Sequence, residues 1–355
     1  MTIPPGATVG ILGGGQLGRM MALAAARLGY RCHIFDPHEA PCAARVSAAF
    51  TRGAFDDEQA LARFAAACDV VTYEFENIAV APLAPLGAKL VPGPRSLEVA
   101  QDRATEKRFL ESLGARIAPW RSVDSAEHAA AAEAALGLPL VLKTRRLGYD
   151  GKGQAWARSP GEAAAAFAAI GEQPAVAEAG VDFAAEYSMI VARAADGETR
   201  AFDPPRNVHH GGILRRSIVP AGDLVAGQAA EARQVAERIA AELGHVGVLT
   251  VEFFATVAGP LVNEIAPRVH NSGHWTIEGA RTSQFEQHVR AICALPLGDP
   301  GLVAGGAEME NLIGPDLERW PALVAEPGAA VHIYDKGEAR PGRKVGHVTR
   351  LSRRA

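Results

Sequence analysis

Residues 142–154 read LKTRRLGYDGKGQ and predict a strand, a glycine-rich loop and a second strand. Lys143 ends the apolar run PLVLK, where a lysine is costly unless an anion meets its charge. Gly148, Gly151 and Gly153 follow in the loop, and the amides of such a loop can bind phosphate oxygens. The pattern therefore predicts a phosphate-binding flap. An ordinary glycine-rich hairpin, with Lys143 reaching solvent, is the alternative.

Two glutamates on neighbouring predicted strands extend this pattern. The runs GVLTVEFFA and GPLVNEIA are joined by a tight turn at 256–259, and an antiparallel register sets Glu252 almost opposite Glu264. Opposed like charges destabilise a sheet unless a cation lies between them. Two carboxylates, the Asn263 amide and phosphate oxygens are ligands that Mg²⁺ prefers. Together with Lys143 and the flap, they indicate a Mg-ATP site built on sheets, unless a bulge turns one glutamate to solvent.

The first hundred residues have a different pattern. Apolar runs alternate with helical stretches, as in ATVGILGGG, QLGRMMALAAARLG and YRCHIFD. This alternation predicts βαβ units and an open parallel sheet. A helix that begins at the capping residue Asp102 then leads into a new region, so we expect the first domain boundary there.

Beyond this boundary the pattern is typical of α+β structure. We expect strands at PLVLKT, GQAWAR, AVAEAG and AEYSMIVAR, and helices over 125–136, 160–170, 228–243 and 282–293. The Pro- and Gly-rich tail contains one predicted strand, AVHIYDK.

A glycine motif follows the first predicted strand. Residues 13–18, GGGQLG, match G-x-G-x-x-G at the start of a helix, and Asp36 ends the second strand. Taken alone, the motif indicates NAD. Its glycines let backbone amides approach any anion, so a nucleotide diphosphate or a sugar monophosphate would fit equally well. A turn with nothing bound is the remaining alternative, and Asp36 is then only a strand-end residue.

Composition excludes several classes of protein. The 355 residues carry 36 Lys and Arg against 40 Asp and Glu, a net charge of -4, so we expect neither nucleic acid nor a membrane surface as partner. The first residues do not resemble a secretion signal, and no apolar run is long enough to span a membrane. The four cysteines contain no CxxC pair, which favours reduced thiols. We predict a cytoplasmic protein.

Four motifs in order resemble one family. GGGQLGRM, LKTRRLGYDGKGQ, EFF…NEIAPRVHNSGHWT and RPGRKVGH together are similar to N5-carboxyaminoimidazole ribonucleotide synthase, an ATP-grasp enzyme of purine biosynthesis. The resemblance implies a ligase that uses ATP, bicarbonate and 5-aminoimidazole ribonucleotide, with Mg²⁺, as a homodimer. It also implies a Rossmann-like pre-ATP-grasp domain over 1–101, an ATP-grasp domain over 102–298 with a lid at about 115–187, and a small C-terminal domain over 299–355.

The resemblance also implies roles for individual residues. ATP contacts match Arg103, Lys143, Gly148, Gly151, Lys152, Gly153, Gln154, Glu178, Val181, Glu186, His209 and Asn263. The metal ligands match Glu252 and Glu264. The bicarbonate and aminoimidazole pocket matches Tyr149, Asp150, Arg268, His270 and Asn271. The contacts to the ribonucleotide substrate match Gly15, Gln16, Leu17, Glu76, Arg343 and Lys344.

Bicarbonate is then expected to attack the γ-phosphate of ATP, and the resulting carboxyphosphate to carboxylate the exocyclic amine of the aminoimidazole. Three alternatives remain from the sequence. Another ATP-grasp enzyme could join a carboxylate to a different phosphoribosyl amine. An NAD-dependent dehydrogenase would explain the glycine motif but not the paired glutamates. A nucleotide-binding protein without catalytic activity is the third.

Overall fold

The computed structural model describes residues 2–148 and 151–353. In these ranges the chain forms ten α-helices and 17 β-strands, and the strands make three sheets. None of these helices combines the length and the apolar character that a membrane span requires.

The first sheet is parallel and four-stranded, in the order β3-β2-β1-β4. Its elements are β1 (Thr8–Leu12), α1 (Gln16–Arg27), β2 (Arg31–Asp36), β3 (Ala49–Arg52), α2 (Glu58–Ala66) and β4 (Val70–Tyr73). Successive side chains of a strand point to opposite faces. Ile11 accordingly belongs to one buried cluster with Met21 of α1, and Leu12 to another with Phe64 of α2. The predicted α/β region is confirmed.

Two helices connect this sheet to the rest of the chain, α3 (Pro94–Ala100) and α4 (Arg103–Ser112). The carboxylate of Asp102 caps α4 as predicted, because it accepts hydrogen bonds from the amides of Ala104 and Thr105. It also forms an ion pair of 2.8 Å with Arg145. The start of α4 is therefore tied to the beginning of the predicted flap.

The second sheet is antiparallel, in the order β5-β8-β6-β7. Its elements are β5 (Trp120–Val123), α5 (Ala126–Leu136), β6 (Leu140–Thr144), β7 (Gln154–Ala157), α6 (Glu162–Ala169) and β8 (Ala175–Ala179). The predicted strands and both alanine-rich helices are confirmed. Lys143 pairs with Gln154 across β6 and β7, so the glycine loop joins two adjacent strands.

The third sheet has nine strands, with β14-β13-β9-β11-β12-β15-β17-β16 in line and β10 beside β9. The elements up to α9 are β9 (Ala185–Arg193), β10 (Thr199–Ala201), β11 (Arg206–His210), β12 (Ile213–Val219), α7 (Asp223–Glu242), β13 (Gly247–Thr256), β14 (Gly259–Ala266), α8 (Thr276–Gly279) and α9 (Gln284–Ile292). Helix α7 begins five residues before the predicted start, directly after Gly222. Glu252 pairs with Glu264 in the register, which confirms the predicted placement.

The end of the chain continues this sheet with β15 (Gly306–Ile313), α10 (Trp320–Ala325), β16 (Ala329–Ile333) and β17 (Lys344–Ser352). The pattern indicated one strand in this tail, whereas the structure has three. In β15 and β17 the polar residues pair across the sheet: Arg216 of β12 contacts Glu308, and Arg350 contacts Glu310. Because β15 pairs with β12, the third sheet runs across the predicted domain boundary at residue 299.

Candidate active site

A cavity of about 1060 Å³ is lined by residues of the second and third sheets, by the start of α1 and the segment after β4, and by the tail. Most of the predicted site residues line it: Gln16, Leu17, Glu76, Arg103, Lys143, Gly148, Gly151, Lys152, Gly153, Gln154, Glu178, Val181, Glu186, His209, Glu252, Asn263, Glu264, Arg268, His270, Asn271, Arg343 and Lys344. Tyr149 and Asp150 lie outside the described residues. Gly15 is not among the lining residues.

The paired glutamates face the cavity from β13 and β14. Nε2 of His270 lies 3.1 Å from Oε1 of Glu252, and a guanidinium nitrogen of Arg103 donates to Oε2 of Glu264 at 2.7 Å. Burial alone would raise the pKa of Glu252, but the hydrogen bond and charge of His270 lower it to about 2. Both carboxylates and the amide oxygen of Asn263 thus offer the hard oxygen donors that suit Mg²⁺.

Lys143 points at protein carboxylate and amide oxygens. Its Nζ donates to Oε2 of Glu178 at 3.0 Å and to Oδ1 of Asn263 at 3.4 Å. The other oxygen of Glu178 forms an ion pair of 3.1 Å with Lys107 of α4. Burial would raise the pKa of Glu178, yet Lys143 and Lys107 lower it to about 2. The carboxylate is therefore ionised and pairs with both lysines, of which Lys143 lines the cavity.

The glycine loop differs from the prediction. The amide of Gly15 hydrogen-bonds to one oxygen of Glu74, and the amide of Gly18 donates to the other at 2.6 Å. The amide of Gly14 donates to Asp36 at 2.7 Å. The anions that these amides hold are carboxylates of the chain itself, so Gly15 does not present a free donor to a phosphate in the cavity. Asp36 therefore has a structural role at the end of β2, where its carboxylate accepts the hydrogen bond from Gly14.

Two further predicted residues form an ion pair. The guanidinium of Arg268 binds the Glu76 carboxylate with two nitrogens, one of them at 2.7 Å. Burial would lower the pKa of Arg268, but Glu76 raises it, so the pair is ionised. On the neighbouring strands β9 and β11, Glu186 contacts Nδ1 of His209. These pairs place polar groups of opposite charge along one wall of the cavity.

The tail supplies the basic end of the cavity. Arg343 and Lys344 line it beside Lys336 and Arg340. Nζ of Lys336 donates to Oε1 of Gln16 at 2.7 Å, which joins the tail to the glycine loop. Burial lowers the pKa of Lys336. A phosphate at this end would meet several cationic side chains within reach of Gln16.

Sequence reasoning missed four residues that shape the site, namely Glu74, Glu106, Lys107 and Lys336. Burial raises the pKa of Glu106 to about 8, and its Oε1 accepts from the amide of Ile265 at 2.6 Å. The signal for Lys107 was its spacing in α4, because Ala104 and Leu110 are buried on the same helix face. Glu74 lies in the YEFE segment of Glu76, directly after β4, an end of a parallel strand where ligand-binding residues are common.

Comparisons with known proteins identify the family of this chain. Three family profiles match the chain: a ribonucleotide synthetase preATP-grasp domain over residues 6–101, an ATP-grasp domain over 108–285, and a phosphoribosylaminoimidazole carboxylase C-terminal domain over 307–355. The N5-carboxyaminoimidazole ribonucleotide synthase of Brucella melitensis biotype 1 is 51% identical, over 99% of this chain and 98% of its own. The chain belongs to the N5-carboxyaminoimidazole ribonucleotide synthase family.

Solved structures of this family share the fold. An ADP complex of an N5-carboxyaminoimidazole ribonucleotide synthetase has 42% identity and a TM-score of 0.94, and the match covers 99% of this chain and 94% of that one. The synthase of Aspergillus clavatus, solved with ADP and 5-aminoimidazole ribonucleotide, has 30% identity and a TM-score of 0.91, with coverage of 98% and 94%. The predicted ATP-grasp fold, with a pre-ATP-grasp domain, is thereby confirmed.

The predicted activity is confirmed with the family. The protein is an ATP-grasp ligase of purine biosynthesis that converts 5-aminoimidazole ribonucleotide and bicarbonate to N5-carboxyaminoimidazole ribonucleotide at the expense of ATP. The dehydrogenase alternative does not hold, since the glycine motif opens a pre-ATP-grasp domain.

The first testable prediction concerns Glu178. Glu178→Gln leaves Lys107 and Lys143 without a buried counter-charge, which should lower the free energy of unfolding by about 3–5 kcal/mol at neutral pH. The ionised carboxylate stabilises the fold above its unfolded pKa of 4.5, and this contribution is lost as the pH falls toward 2.

Urea denaturation at several pH values measures both effects. The difference between wild type and Glu178→Gln should be full at pH 7 and shrink below pH 4.5. The exposed Glu242 at the end of α7 provides the control, because Glu242→Gln should change stability by less than about 0.5 kcal/mol. A difference that stays constant from pH 7 to pH 3 contradicts the assignment.

Proposed function

We propose that the synthase reaction takes place in this cavity, with ATP between the second and third sheets and the ribonucleotide at the end formed by the tail. The observation that carries the proposal is the ladder of β13 and β14, which puts Glu252 directly opposite Glu264. The same cavity is lined by Lys143 and by the flap residues Gly151 and Gly153. Carboxylates, a lysine and flap amides are the groups that a Mg-nucleotide requires.

Glu252 and Glu264 would hold Mg²⁺, with Asn263 beside them. The oxygen donors of these side chains support this choice of ion over a softer metal. When bound, the ion would offset the charge that spreads over the transferring phosphoryl group. Lys143 would help to offset the same negative charge, since its Nζ lies 3.4 Å from Oδ1 of Asn263 and thus close to the carboxylate pair.

The remaining ATP contacts are assigned to the walls around this centre. We infer that Arg103 and the flap residues Gly148, Lys152 and Gln154 contact the phosphates. Glu178, Val181, Glu186 and His209 would lie along the adenosine. All of these side chains or backbone segments line the cavity.

Bicarbonate and the aminoimidazole are assigned to the region of Arg268, His270 and Asn271, with Tyr149 and Asp150 of the flap. Arg268 would orient bicarbonate. An oxygen of bicarbonate attacks the γ-phosphorus of ATP, the bond from this phosphorus to the β-phosphate oxygen breaks, and ADP leaves, so that carboxyphosphate forms. The exocyclic amine then takes up the carboxyl group, the C–O bond to phosphate breaks, and the departing phosphate accepts the amine proton. Glu76 would face the imidazole, held in place by Arg268.

The direct test measures ADP release from purified protein with Mg-ATP, bicarbonate and a panel of ribonucleotide amines. We expect turnover with 5-aminoimidazole ribonucleotide alone, dependent on bicarbonate. ADP release with a different amine, and none with the aminoimidazole, would replace this substrate assignment. A homodimer, the domain limits at residues 101 and 298, and a cytoplasmic location stay predictions, and light scattering tests the first of them.

Removal of one metal ligand should separate chemistry from folding. Glu264→Gln should lower kcat by about 100-fold or more and raise the Mg²⁺ concentration needed for half-maximal rate. Asp203, exposed and outside the cavity, supplies the control Asp203→Asn, which should leave both quantities unchanged. Near wild-type turnover with unchanged magnesium dependence would sink the metal assignment.

Gly151 tests the flap. Its φ of +76° lies in the left-handed region, which a β-branched side chain rarely adopts, and an added Cβ would approach Gly212 at 3.2 Å. We expect Gly151→Val to raise the KM for ATP about tenfold, which corresponds to about 1.4 kcal/mol. Gly161 has a similar φ of +86° with open space around it and does not line the cavity.

Steady-state kinetics of Gly151→Val and Gly161→Val therefore compare the same backbone strain inside and outside the site. Gly161→Val should lower stability and leave the KM for ATP unchanged. If both variants change this KM equally, strain alone explains the effect and the flap assignment fails.

Arg343 tests the ribonucleotide end. A lost charge-assisted hydrogen bond costs about 1.5–3 kcal/mol, so Arg343→Gln should raise the KM for 5-aminoimidazole ribonucleotide about 10- to 100-fold. The KM for ATP should change little. Arg353→Gln removes the same charge from an exposed position of the tail and serves as control. Equal increases in both KM values for Arg343→Gln would contradict a phosphate contact at this end.

A further inference from the structure

Three side chains meet outside the cavity, where α8 packs against β17. They are Glu278 of α8, His332 of β16 and His347 of β17, and one ligand atom from each lies within 4.8 Å of the others. None of the three lines the catalytic cavity. This group, the Glu-His-His cluster, has no part in the reaction described above.

The geometry of the cluster is tightly defined. Nε2 of His332 lies 2.7 Å from Oε1 of Glu278. The rings of His332 and His347 stack with centroids 4.4 Å apart and planes at 7°. The hydroxyl of Tyr334 lies 2.7 Å from Nδ1 of His347. Stacking on His332 and the contact with Tyr334 therefore fix the position and the orientation of the His347 ring.

Two atoms of the cluster lack a partner among the described residues. They are Nε2 of His347, whose side chain is fully buried, and the buried Oε2 of Glu278. Buried polar atoms are almost always satisfied, so each such exception needs an explanation, and a bound ion is one that would account for both atoms together. An ion pair between His332 and Glu278 satisfies one oxygen only and leaves both of these atoms unexplained.

We propose that the Glu-His-His cluster binds Zn²⁺ through Glu278, Nε2 of His332 and Nε2 of His347, with water as the fourth ligand. Imidazole nitrogens and a carboxylate suit zinc, whereas magnesium and calcium prefer oxygen alone. When Nδ1–H of His347 donates to the Tyr334 oxygen, Nε2 carries the lone pair that a metal needs, and such a partner is usual behind metal-binding histidines.

Zinc would draw the three ligand atoms together. In a tetrahedral site with zinc–ligand distances of about 2.0–2.2 Å, two ligand atoms lie roughly 3.3–3.6 Å apart. Atoms that lie within 4.8 Å of one another therefore approach by up to about 1 Å, and the ring of His332, now parallel to that of His347, turns its Nε2 toward the ion. The side chains of His332 and Glu278 are 28% and 21% exposed, which gives the ion a path from solvent. The bound ion would link β16 and β17 to α8. Helix α8 itself follows His270 and Asn271 closely in the chain.

Zinc titration of the whole protein tests the proposal. The protein is first treated with a chelator and then titrated with Zn²⁺ against a chromogenic competitor, in excess Mg²⁺ so that the oxygen ligands Glu252 and Glu264 stay masked. We expect one tight equivalent in wild type. It should be lost in His332→Gln and in Glu278→Gln and kept in His128→Ala, which alters an exposed histidine of α5. No tight equivalent, or one that survives in both variants, would overturn the proposal.

Two more measurements stay decisive if those variants fold poorly. Tyr334→Phe keeps all three ligands and should weaken zinc binding about 10- to 100-fold, since it removes the oxygen behind His347. Histidine footprinting of wild type by diethyl pyrocarbonate should show that Zn²⁺ protects His332 and leaves His128 reactive. Unchanged affinity in Tyr334→Phe, or equal reactivity of His332 with and without zinc, speaks against the site.

Discussion

The surrounding structure has to compensate for the repulsion between Glu252 and Glu264. Their backbones are paired in one antiparallel ladder, where opposed like charges are destabilising. Each carboxylate contacts a side chain from elsewhere: His270 follows β14, and Arg103 begins α4, 161 residues before its partner. Because both contacts form only when α4 and the loop after β14 dock against the sheet, the carboxylate pair links these two segments to it. The pKa of Glu252 is lowered and its carboxylate lies beside that of Glu264, an arrangement that favours binding of a divalent cation.

The backbone amides of a glycine loop can bind either a ligand or a side chain of the same protein. In a dinucleotide-binding domain such amides meet a pyrophosphate. Here the amides of Gly15 and Gly18 bind the carboxylate of Glu74, so these two donors are satisfied within the chain. Gln16 and Leu17 still reach the cavity, and Lys336 contacts Gln16 from the tail. The positive charge at this end therefore comes from side chains of the last strand region, and the loop acts by positioning.

Sequence patterns predicted the structure correctly where the interactions join residues that are close in sequence. The register of β13 with β14, the cap at Asp102 and the strands on both sides of the flap depend on residues close in sequence, and all are present. The interactions that were missed join distant segments: Glu74 with Gly18, 56 residues apart, and Arg268 with Glu76, 192 apart. A periodic pattern reports which face of an element is buried, but it carries no information about the element that covers that face. The missed strands β15 and β17 also have distant partners, since β15 pairs with β12 and β17 pairs with β15.

The segment between β16 and β17 contacts the N-terminal region of the chain. Lys336 donates to Gln16, and Asp335 forms an ion pair with Arg45, so this segment lies against the glycine loop and the turn before β3. A ribonucleotide phosphate between Gln16 and Arg343 would contact both segments at once. A ligand that binds only the assembled state stabilises that state by mass action. If the ribonucleotide binds there as proposed, substrate binding and packing of the tail on the N-terminal region would be thermodynamically linked, and a change that loosens one would weaken the other.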